Sequence, residues 1–134
     1  FVLPPGAGPL GIVAGPDDNL WFAEYSANRI GRLTVSGSLT EFSIPTANSG
    51  PSVIAAADGN LWFTENAVNR VAQITPAGSI TELEVPTPGS GPFGIAEGPD
   101  GNVWFTEFAS DRVARIRIKM SRPCTRVVSS RPPR

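Results

Sequence analysis

One phrase recurs three times along this chain of 134 residues: Asn19-Leu20-Trp21-Phe22-Ala23-Glu24, Asn60-Leu61-Trp62-Phe63-Thr64-Glu65 and Asn102-Val103-Trp104-Phe105-Thr106-Glu107. The tryptophans stand 41 and 42 residues apart, so the chain is a tandem array, and only folds that stack or ring similar units suit it. The surroundings repeat in step. Each unit opens on Gly-Pro (Gly8-Pro9, Gly50-Pro51, Gly91-Pro92) and carries an arginine five residues past its glutamate (Arg29, Arg70, Arg112). The first two then add a Thr-Glu segment, Leu39 to Pro45 and Ile80 to Pro86. The units run over about 8–49, 50–90 and 91–116.

A complete unit has four short apolar or alternating runs, each bounded by Gly, Pro, Asn, Asp or Ser and none with helical spacing, the pattern of four strands joined by tight turns. Asp58-Gly59 and Asp100-Gly101 supply the positive φ of a hairpin turn, whereas Asp17-Asp18 requires Asp18 to take that conformation itself or the turn to differ. Pro45 and Pro86 close the fourth strand, which places it at a sheet edge.

Leu20, Trp21 and Phe22 are apolar at consecutive positions, so the second strand has no wet face and must be covered on both sides. About forty residues per four strands, with one tryptophan each, fit the blade of a β-propeller. The fold class is therefore all-β: about three four-stranded antiparallel blades of an incomplete ring. A parallel β-helix is the alternative, but its coils are much shorter.

Propellers close with about 4 to 8 blades, so three units do not make a ring. Phe1-Val2-Leu3-Pro4 lines up with Phe42-Ser43-Ile44-Pro45, and the chain reads as a segment of a longer one. The expected partners are the missing blades of the same parent or self-association through open blade faces. Residues 1–116 hold five basic and twelve acidic side chains, whereas 117–134 hold six basic and none acidic. The basic stretch 117–134 stands where a Gly turn and a Thr-Glu strand belong, and reads as a disordered or aberrant tail. The net charge of −1 thus joins two unlike pieces, and neither nucleic acid nor membrane is expected as a partner. No transmembrane run or signal peptide is legible, and the compartment stays open. Cys124 is the sole cysteine, which excludes a disulfide framework or a thiolate metal cluster.

The unit Gly-Pro, Gly-Ile, Gly-Pro-Asp-Gly-Asn, Leu-Trp-Phe-Thr-Glu, Asn-Arg-Ile-Gly-Arg, Ile-Thr-Glu-Phe resembles the blade of the virginiamycin B lyase (streptogramin lyase) family, related to the NHL repeats. The likeness covers residues 1 to about 116 and is most literal at Gly94-Ile95, Gly98 to Asn102 and Trp104 to Glu107. It implies a seven-bladed ring. It also implies an elimination that opens the ester linkage of streptogramin B antibiotics: a base removes the proton α to a carbonyl, and Mg²⁺ stabilises the developing charge. The family's acid and base groups include histidines. This chain has none; Ser26, Ala67 and Ala109 stand two residues beyond the repeat glutamates. No catalytic residue is assigned, and the segment alone is expected to be inactive. The alternative is a non-catalytic propeller that binds a peptide, protein, polysaccharide or small molecule.

Glu24, Glu65 and Glu107 are candidates for a ring face or for lining a metal through carboxylate oxygens. The competing reading makes them architecture, paired across a hairpin with Arg29, Arg70 and Arg112. Tyr25, Asn66 and Phe108 follow these glutamates and differ between units, as ligand-lining residues do and as tolerant loops do. Asp17, Asp58 and Asp100 read as turn formers rather than calcium ligands, and the tryptophans as packing between blades rather than sugar platforms.

Overall fold

The computed structural model describes residues 1–118 and the backbone of Arg126–Ser129. Twelve strands form three antiparallel sheets: β1 (Pro9–Ala14), β2 (Leu20–Glu24), β3 (Arg29–Leu33) and β4 (Leu39–Ser43); β5 (Pro51–Ala57), β6 (Asn60–Glu65), β7 (Arg70–Ile74) and β8 (Ile80–Glu84); β9 (Pro92–Glu97), β10 (Val103–Glu107), β11 (Arg112–Arg117) and β12 (Arg126–Ser129). Within each sheet the strands keep sequence order, and β1, β5 and β9 lie side by side at the inner edge. This is the blade arrangement of a propeller. No helix among the described residues is long and apolar enough to cross a membrane.

The blades are held face to face by the strand period of two. From the middle sheet, Ile54, Leu61, Phe63, Ala72 and Ile74 join Trp21, Ala23, Ile30 and Ile44 in one core. The intervening Trp62 and Val71 join Val85, Val103, Phe105, Ala114 and Ile116 in the next. Adjacent side chains of β6 thus enter two separate cores, which is why the strand is apolar without a break. Trp21 stacks on Phe42 with ring centroids 5.7 Å apart, and the Arg32 guanidinium lies over both rings and donates to the Pro76 carbonyl of the second blade at 2.9 Å.

The one-residue difference between units lies in the first hairpin. Asp18 adopts φ 63°, and Asp17 accepts the Trp21 indole N–H at 2.9 Å; Asp100 accepts that of Trp104 at the same distance. Burial opposes ionisation of Asp17, but the bonds from Trp21 and Asn19 prevail and lower its pKa. Those from Trp104 and Asn102 hold Asp100 far below the usual carboxylate range. In the shorter second unit Asp58 (φ 54°) and Gly59 (φ 76°) make a two-residue turn that leaves Asp58 exposed. The buried Trp62 N–H then has no acceptor among the described residues.

Two expectations change at the far end. Trp104 is only half-buried, because no described sheet covers the outer face of the third blade; Arg115 lies over its ring at 5.2 Å instead. Arg117, the first residue of the basic stretch, belongs to β11, and Arg126–Ser129 pairs with β11 in the place of a fourth strand. The edge of β11 away from β10 offers ladder hydrogen bonds to any extended segment in reach. The rest of the tail, 119–125 and 130–134, lies outside the described residues. At the other end Phe1 lies against Gly37 as Phe42 lies against Gly78, the equivalence expected from the sequence.

Trp62→Ala should cost about 3 to 5 kcal/mol, the usual toll of emptying a tryptophan site in a core, and Trp104→Ala less than half as much, measured as denaturant unfolding. Trp21→Phe should cost about 1 to 2 kcal/mol more than Trp62→Phe, because only Trp21 loses a bond to an ionised acceptor.

Candidate functional site

The turns between second and third strands and the connections between blades gather at one end of the array. Asn28 and Asn69 sit in these turns in the left-handed conformation, each with φ 58°, which asparagine tolerates better than most residues. The Asn69 side chain accepts from the Ser90 N–H and hydroxyl at 3.0 and 2.6 Å and donates to the Val85 and Thr87 carbonyls at 3.2 and 2.9 Å. Asn28 holds Ser49 and the Thr46 carbonyl in the same way. Each asparagine therefore fixes the strap that leads into the next blade.

Tyr25, Asn66 and Phe108 all stand on this end, at blade boundaries. Tyr25 and Ser26, with Asn48, Gly50 and Ala67, line a cleft of about 240 Å³. Asn66 and Phe108 share a second, of about 350 Å³, with Phe93. The Asn66 amide donates to the Pro92 carbonyl at 3.1 Å, tying this cleft to the opening of the third blade. Phe93 was not singled out from the sequence. Its signal was available: an aromatic follows the third Gly-Pro, where the other units have Leu10 and Ser52. It lies where the inner strand slips register, with Thr106 Oγ1 accepting the Gly94 N–H at 2.9 Å. Phe93 and Phe108 remain 48% and 81% exposed, which makes this end face an apolar, aromatic surface framed by amide groups.

The repeat glutamates are elsewhere. Glu24, Glu65 and Glu107 end their strands near this face, but their side chains turn into the sheets and are fully buried; none lines either cleft. The reason is alternation: Glu65 shares the face of Leu61 and Phe63, which packs on the first blade. The register does place Glu24, Glu65 and Glu107 opposite Arg29, Arg70 and Arg112. The ion pairs, however, run to the fourth strand, Arg29 to Glu41 at 3.5 Å, and Arg70 to Glu82 at 3.9 Å and Glu84 at 3.6 Å. Burial first, and then the facing carboxyl of Glu41, raise the Glu24 pKa to about 7, against a smaller opposing effect of Arg29. Glu65, with the first blade packed on its face, is raised to about 9 by burial and Glu82, against Arg70.

This donor set does not fit Mg²⁺, which needs several oxygens converging in octahedral geometry and keeps part of its water shell. The three glutamates are closed to solvent in three different sheets, and guanidinium groups already supply positive charge beside two of them. No group of three potential ligands occurs among the described residues. The positions two beyond the glutamates, Ser26, Ala67 and Ala109, pack against Gly8, Gly50 and Gly91.

The three blades, sharing one end face, define a segment of a repeat β-propeller. The sequence profile of the virginiamycin B lyase family matches residues 1–122, and the chain belongs to that family. It is similar to virginiamycin B lyase from Staphylococcus aureus, with 40% identity and a TM-score of 0.92 over 100% of this chain and 45% of that one. A catalytically inactive histidine-to-alanine variant of that lyase, crystallised with quinupristin, matches at 40% identity and a TM-score of 0.91, with the same coverage of both chains. A streptogramin B lyase matches at 34% identity and a TM-score of 0.86, over 99% of this chain and 44% of that one. The chain thus spans less than half the length of these lyases.

Asn69→Ala should destabilise the chain by about 2 to 4 kcal/mol, since alanine loses the strap bonds and is strained in the left-handed conformation. Phe108→Ser, on the rim, should stay within about 0.5 kcal/mol of the parent in the same urea titration.

Proposed function

We propose that these three blades form part of the ligand-facing wall of a propeller that opens the ester linkage of a streptogramin B-type cyclic depsipeptide by elimination. The proton-transferring groups would stand on other blades. In such a reaction a base takes the proton α to a carbonyl, the released electron pair forms a carbon–carbon double bond, and the ester oxygen departs as a carboxylate. One observation carries this reading: 40% identity to a lyase along the full chain, combined with the absence of histidine from all 134 residues. The change that inactivates the S. aureus enzyme is a histidine-to-alanine replacement, consistent with chemistry centred outside the matched blades.

In this proposal Tyr25, Asn66, Phe93 and Phe108 contact the ligand. Their exposed rings suit the apolar side chains of a depsipeptide, and the Asn66 amide suits its carbonyls. The uncovered faces of the first and third blades take further blades of the same kind, because blade two covers blade one, and blade three covers blade two, through the same repeat positions. The Mg²⁺ of the family reaction is not assigned to these blades.

The test is a chimaera in which residues 1–118 replace the matched stretch of the S. aureus lyase. The chimaera should convert quinupristin to a linear product of unchanged mass, since elimination adds no water whereas hydrolysis does, and the 134-residue chain alone should not. A folded chimaera that binds quinupristin without opening it would favour a non-catalytic binding propeller, and turnover by the chain alone would overturn the placement of the chemistry.

A further inference from the structure

In each of the first two blades, strands two and four send a glutamate to the same side of the sheet, over a small residue of strand three. Phe22, Gly31 and Glu41 form one cross-strand row, and Phe63, Ala72 and Glu82 form its counterpart. Glu24 and Glu65 lie two residues beyond the aromatic of each row. Glu24 reaches back over the row so closely that a Cβ on Gly31 would stand 2.9 Å from its Oε2. Both oxygens of Glu24 and of Glu65 are buried and receive no hydrogen bond among the described residues, and Oε2 of Glu41 and Glu82, likewise buried, have only the longer ion pairs to Arg29 and Arg70 at 3.5 and 3.9 Å. Ionised carboxylates only accept, so two facing carboxylates cannot satisfy each other. A single proton makes one of them a donor and removes the repulsion at the same time.

We propose that each of these blades stores one proton between its two glutamates, Glu24 with Glu41 and Glu65 with Glu82. The shared proton clasps the outermost strand, β4 or β8, to the strand two places away, and alkali opens the clasp. Among the described residues, the charged groups acting on Glu24 are Glu41 and Arg29, and those acting on Glu65 are Glu82 and Arg70. Arg70 is itself shared with Glu84 and with the Thr46 hydroxyl of the preceding blade, at 2.6 Å, so one divided cation faces two carboxyls. In the third blade the register position of Glu41 and Glu82 is held by Ser129.

The raised folded-state values support this assignment and set the sign. Stability from a raised carboxyl is complete below its ordinary value of 4.5 and is lost as pH rises, through about 7 for Glu24 and about 9 for Glu65. Between those limits each stored proton increases the unfolding constant about tenfold per pH unit, or about a hundredfold for two. The chain has no histidine, so no side chain of ordinary pKa titrates between the carboxylates and the thiol.

The experiment uses the full chain with Cys124→Ser, which removes the thiol. Carbon-13 spectra of labelled glutamate carboxyls should show two residues titrating near neutrality or above. Urea unfolding from pH 5.5 to 7 should show the steep loss of stability. Glu24→Gln and Glu65→Gln, whose amides donate without titrating, should each remove about one factor of ten per pH unit from that slope. In the parent, amide protection factors in β4 and β8 should fall as pH rises, and in the respective glutamine variants they should not. Should a glutamine variant fail to fold, the parent spectra still decide: all glutamates titrating near 4.5, or a flat unfolding profile, would falsify the clasp.

Discussion

The structure depends on sheet faces that exclude water on both sides. In β6 the alternating side chains Leu61, Trp62 and Phe63 enter two different cores, so the middle blade has no solvent face to satisfy and cannot stand alone. Burial of this kind is non-directional and proportional to the apolar area removed from water, which lets one repeat phrase serve each interface. Directional contacts then set the spacing: the asparagines that hold each strap, and the Arg32 reach from one blade to the carbonyl of the next.

Because cohesion comes from the faces, the ends of the strands are free to vary. The variation concentrates there. Tyr25, Asn66 and Phe108 occupy equivalent positions in three blades yet present a phenol, an amide and a phenyl ring to the same rim. The features that repeat without change have the opposite fate: the glutamates and the first two tryptophans disappear into the sheets. In this array, invariance among blades marks the scaffold, and the departures from it collect at the rim.

Small departures from the repeat have mechanical consequences as well. One residue fewer in the second unit changes the hairpin type and separates an aspartate from its indole; a glycine at position 31 gives Glu24 room to lie over the third strand. Neither change alters the blade, because each is confined to a turn or to the space above one small residue.

The chain's sequence alone determined the periodicity, the four-strand unit, the turns, the blade class and the family resemblance, because these follow from local spacing and from residues that recur. It also showed the Glu–Arg register, since a hairpin fixes which residues oppose each other. Only the tertiary structure decided that those glutamates face Glu41 and Glu82 inside the sheets, that Phe93 joins Asn66 and Phe108 at a rim, that Trp104 is left half-open, and that Arg126–Ser129 pairs with β11. Each of these depends on which surface a neighbouring strand or blade covers. That is a property of long-range packing, to which the local spacing of residues is blind.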